Sequence, residues 1–121
     1  MSINEYIEKI NTCMLNESNI KKIEAIYRCE INDILKKVVS YNSEPVFVDG
    51  NRFISFNEIV YATEDLHVEF QKEKVIPVVD CMDNDFISYD YENQVWVKFN
   101  IIDKVKFDKR NSDCCRRNCC W

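Results

Sequence analysis

Five carboxylates crowd one short stretch of this chain. Asp80, Asp83, Asp85, Asp90 and Glu92 lie between residues 75 and 97, where no Lys or Arg occurs. Three chemistries are open to such a group. Divalent cations such as calcium and magnesium take oxygen ligands, and Asp80, Asp83 and Asp85 stand close enough in sequence to supply some. The calcium-loop pattern fails, because the next alternate position is Ile87 and no Gly follows. Paired carboxylates also act as acid and base in glycoside hydrolysis. No His stands nearby, and the single Gly of the chain leaves little to shape a cleft. The remaining chemistry is long-range: anionic charge without local cations attracts a basic partner and speeds encounter with it. The competing account is plain solvation, since Asp and Asn are turn formers and turns face water.

The expected site is therefore a partner-binding one, made of Asp80, Asp83, Asp85, Asp90 and Glu92 with Tyr91 and Trp96 as aromatic anchors. No catalytic residue, metal ligand set or cofactor is expected. His67, the one histidine, falls at the predicted C-terminal end of a helix, where a cation suits the dipole, and no nucleophile motif surrounds it. Cys114, Cys115, Cys119 and Cys120 lack the Cys-x-x-Cys spacing of zinc sites and a flanking apolar helix for acylation. Cys13, Cys29 and Cys81 fall in predicted elements and read as small core or near-core residues.

The elements that must position these residues follow from pattern. Residues 75–79, 86–91 and 94–99 are rich in β-branched and aromatic types, and Asp/Asn turns separate them, which predicts an antiparallel meander. Alternation sets Ile87, Tyr89 and Tyr91 on one face of the middle strand, and Phe86, Ser88 and Asp90 on a partly polar other face. Upstream, Ser2 and Glu5 form a capping box before a helix over about residues 3–15. Ser18 or Asn19 is placed to cap a second helix and Asn32 a third. Asp49-Gly50 is a strong hairpin signal between strands near 45–48 and 52–54. Ser55 and Glu58 make a second capping box, for a helix reaching about His67, and residues 71–74 link it to the meander. Residues 100–107 fit a last strand or a short helix, and a Cys-rich tail follows over 108–121.

A chain of 121 residues suits one domain, here residues 1–107 plus the tail. The net charge of −5 speaks against direct binding of nucleic acid or of an anionic membrane. No apolar run suits a signal peptide or a membrane span, so a cytoplasmic protein with free thiols is expected.

In order and spacing, four pieces resemble the SUKH superfamily: Ser55 to Ile59, Val75 to Asp80, Asp83 to Asp90 and Val95 to Phe99. The resemblance spans roughly residues 20–107. It implies an α+β fold, with a mixed, mostly antiparallel sheet flanked by N-terminal and central helices. It also implies the role many bacterial members have: an immunity protein that binds and neutralises a cognate polymorphic or contact-dependent toxin, often a nuclease. A nuclease presents a basic groove, which an acidic surface could occlude. The alternative implied function is a non-enzymatic interaction scaffold or regulatory domain. Two segments depart from the family pattern, Glu30 to Asn32 and Tyr41 to Glu44.

Overall fold

Local signals set most of the helix starts. The computed structural model describes residues 1–111. Ser2 Oγ accepts from the Glu5 N–H at 3.2 Å, and Glu5 Oε1 reaches back to the Ser2 N–H at 3.5 Å. This box opens α1 (Ile3–Thr12). The helix is shorter than its pattern suggested, because its buried stripe stops at Ile10 and Met14 is 90% exposed. Helix α2 (Glu17–Tyr27) is capped by Asn16, which accepts from the Asn19 N–H at 3.1 Å. Ser18 and Asn19 are already helical, so neither can hold the extended backbone a cap requires. Helix α3 (Asp33–Tyr41) starts at Asn32 as expected, with the Leu35 N–H donated at 2.9 Å.

Strands β1 (Val46–Val48) and β2 (Asn51–Phe53) meet across Asp49 and Gly50. Both turn residues have positive φ, 49° and 85°, as the favoured two-residue hairpin demands. The Ser55–Glu58 box opens α4 (Phe56–Val60). The single helix expected there breaks at Tyr61, and α5 (Ala62–Leu66) continues to a left-handed His67. The segment read as a linker is itself a short helix, α6 (Phe70–Glu73), anchored by the buried Phe70.

The meander forms as β3 (Val75–Asp80), β4 (Asp85–Asp90) and β5 (Val95–Asn100). A turn over 101–104 leads to β6 (Val105–Asn111), so pairing runs past Phe107 into the first residues of the tail. The six strands lie in chain order and every pairing is antiparallel, with no parallel strand among them. The class is α+β, with N-terminal helices, short central helices and one sheet.

Helices cover both faces of the central strands. Ile87 shares a cavity wall with Tyr6 and Ile10 of α1 and Val38 of α3. Its neighbour Phe86 points the other way, toward Ala62 and Leu66 of α5. Phe99, paired opposite Phe86, meets Phe70 of α6 with ring centroids 6.0 Å apart. The α1–α3 layer is tied to the rest by Asn42, which is fully buried. Asn42 Oδ1 accepts from the Tyr6 hydroxyl at 2.8 Å, and its amide donates to Ile54 O at 3.2 Å.

Candidate functional site

Consecutive turns of a meander fall at opposite ends of the sheet. The β3–β4 turn carries Asp83 and is flanked by Asp80 and Asp85; the β4–β5 turn carries Glu92 and is flanked by Asp90. Strand β4 separates them by about 17 Å at the usual rise per residue. The five carboxylates therefore do not form one surface, and their roles differ.

Asp90 is an interior residue, not a docking one, with 0% exposure. Its Oδ1 accepts from the Glu92 and Asn93 N–H groups, each at 3.1 Å, which fixes the β4–β5 turn. Its Oδ2 accepts from Asn93 Nδ2 at 2.9 Å and from Lys106 Nζ on β6 at 3.1 Å. Burial would raise its pKa, but the Asn93 and Lys106 contacts outweigh it and hold the carboxyl below the ordinary range. Glu92 is exposed and pairs with Lys74 at 3.4 Å. Tyr91 is half-buried, edge-on to Tyr27, and its hydroxyl donates to Gln71 O at 3.2 Å. Trp96 is 2% exposed, against Tyr89, and cannot anchor a partner as it stands. The pattern of residues 75–97 contains no cation, but Lys74 and Lys106 supply two from outside it.

The other end keeps its charge. Asp83 is exposed, while Asp80 and Asp85 are half-buried at the turn edges. Asp80 Oδ1 accepts from the Met82 N–H at 2.8 Å, and Asp85 Oδ1 from Asn100 Nδ2 at 2.8 Å. The β5–β6 turn lies alongside, bonded through the Ile101 N–H to Asn84 O at 2.9 Å, and adds the exposed Asp103. Across from Asp80 in the register stands Arg52, but its guanidinium is engaged by Glu58 at 2.7 Å. Against the four carboxylates of this tip stand Lys98, which is near Cys81, and Lys104 of the second turn.

Sequence reasoning missed the apolar part of the tip. Met82 and Ile102, one in each turn, are both 67% exposed. Met82 also has φ 73°, a left-handed conformation that costs a residue with a side chain about 1 kcal/mol more than glycine. A signal existed: each is a large apolar residue inside a polar turn. Exposed apolar side chains and carboxylates thus share these two turns.

Among the described residues no three His, Cys, Asp or Glu side chains converge to hold a metal, and no helix is long and apolar enough to cross a membrane. Cys13, Cys29 and Cys81 are half-buried free thiols. Burial, with Glu24 nearby, pushes Cys29 up to about 11, so it is a poor nucleophile at neutral pH. Cys114, Cys115, Cys119 and Cys120 lie outside the described residues.

The chain matches no protein-family model, no curated protein and no solved structure. The SUKH resemblance thus rests on the motifs quoted above alone.

Proposed function

We propose that this is a non-enzymatic, cytoplasmic binding protein of the immunity type, which neutralises a basic toxin domain through the β3–β4 and β5–β6 turns. The observation that carries the reading is the tip: Asp80, Asp83, Asp85 and Asp103 around the exposed Met82 and Ile102. A nuclease groove built for phosphates is basic, and carboxylates at this tip would sit where phosphates sit. Their charge steers the encounter, and Met82 and Ile102 supply desolvated contact once docked. Asp90, Tyr91 and Trp96 belong to this function only as framework, and the exposed Glu92 lies at the opposite end of the sheet.

The test is co-expression with the product of the neighbouring upstream gene, scored by host survival. Wild type is expected to rescue growth, and Asp83→Lys combined with Ile102→Asp is expected to fail. Rescue by that variant at wild-type level would remove the tip from the reading. A harmless neighbour would favour an interaction scaffold instead.

A further inference from the structure

Between α1, α3 and the sheet lies a cavity of about 130 Å³. Ile10, Val38, Val79, Ile87 and Trp96 contribute to its wall, and its polar neighbours are Asp49 and Asn51. Asp49 is already engaged, accepting from the Ile3 N–H at 3.0 Å. The Tyr6 hydroxyl on the same wall is also satisfied, by Asn42. The indole N–H of Trp96 is not: it is buried and has no acceptor among the described residues. A buried donor left unmatched is unfavourable, and such a group in a native fold calls for a reason.

We infer that this cavity is a binding site for a small uncharged molecule with an apolar body and one acceptor oxygen, a cyclic or short-chain ketone or ether, whose oxygen accepts from Trp96 Nε1–H. The volume is roughly that of engineered cavities that hold benzene. The apolar wall matches a hydrocarbon body; no cation lines the wall to balance an anion, and its one carboxylate, Asp49, is already engaged by the Ile3 N–H. Half-buried Ile3 and Ile7 on α1 mark the accessible side. This site is independent of the proposed partner surface, which uses the turns.

The experiment is a ¹H–¹⁵N and methyl NMR titration of the full chain with cyclohexanone, and with methylcyclohexane as the matched hydrocarbon. The chain has two Trp residues, so Trp121→Phe assigns the Trp96 indole signal. The expected result is a saturable shift of that signal and of the Ile10, Val38 and Ile87 methyls. Cyclohexanone should move the Trp96 indole proton downfield, as an accepted hydrogen bond does, and methylcyclohexane, which has no acceptor, should not. Ile7→Trp, which fills the cavity from its accessible side, should abolish both titrations. No saturable shift with either probe, the same indole shift with both, or undiminished binding to a folded Ile7→Trp would each overturn the inference. Should Ile7→Trp fail to fold, the comparison of the two probes on wild type decides alone.

Discussion

Replacing Asp90 by Asn separates the framework carboxylate from the docking ones. The two oxygens of Asp90 do different work. Oδ1 takes both turn N–H groups, and an Asn carbonyl can still do so. Oδ2 takes Asn93 Nδ2 and Lys106 Nζ, and there an Asn amide would present donors to donors. Two hydrogen bonds to a charged group are lost, each worth about 1.5–3 kcal/mol. Lys106 keeps 25% side-chain exposure and recovers some hydration, so the net loss is about 3–4 kcal/mol, within the range for breaking one side of a buried pair. The exposed Glu92–Lys74 pair is the internal contrast: Glu92→Gln should cost less than about 0.5 kcal/mol. Urea unfolding at pH 7, followed by far-UV circular dichroism, measures both. The pH dependence has a fixed sign. The folded pKa of Asp90 lies below its ordinary value of 3.8. Its contribution is therefore full above pH 3.8 and is lost as pH falls through the folded value. The gap between wild type and Asp90→Asn should hold steady at mildly acid pH and close only below 3.8. A loss under about 0.5 kcal/mol at pH 7, or a gap unchanged in strong acid, would refute the assignment of Asp90 as a buried, paired carboxylate.

The remaining expectations concern three other places. Asn42→Ala leaves the Tyr6 hydroxyl and Ile54 O without partners and should lower stability by about 2–4 kcal/mol, with Tyr6→Phe milder, both read by urea midpoint. A Cβ at Gly50 would meet nothing within 4 Å, so Gly50→Ala should cost only the conformational term of its positive φ, about 1 kcal/mol in thermal or urea unfolding. Cys29, pushed from 9.0 to about 11, holds about a hundredfold less thiolate at pH 7 than an unperturbed thiol, and after its higher intrinsic nucleophilicity should alkylate with iodoacetamide roughly tenfold more slowly, measured by peptide mass spectrometry. In a stopped-flow assay with a toxin partner, Asp83→Lys should slow association and flatten its salt dependence, while Glu92→Lys at the far end should leave both nearly unchanged.

Local chemistry made much of the fold legible in the sequence. Capping residues at Ser2, Asn32 and Ser55, the Asp49-Gly50 turn and the β-rich meander act over a few residues, so their outcome is written where they stand. The errors came where a local rule had an equal competitor: Asn16 against Ser18 or Asn19 as cap, or one helix against two at Tyr61. The charge of the candidate stretch was legible, its arrangement in space was not. Charge is a property of composition, and the sequence alone determined that residues 75–97 are anionic. Which carboxylates keep that charge free depends on what the chain brings beside them, and that was decided only in three dimensions. Antiparallel connection sent the two acidic turns to opposite ends. Strand β6 carried Lys106 to Asp90, sixteen residues away in sequence, and α1 and α3 closed over the face that carries Trp96. The β5–β6 turn brought Asp103 and Ile102 beside Asp83 and Met82. Sequence periodicity reports which residues share a strand face, but burial and pairing are contacts between distant segments, and only packing sets those.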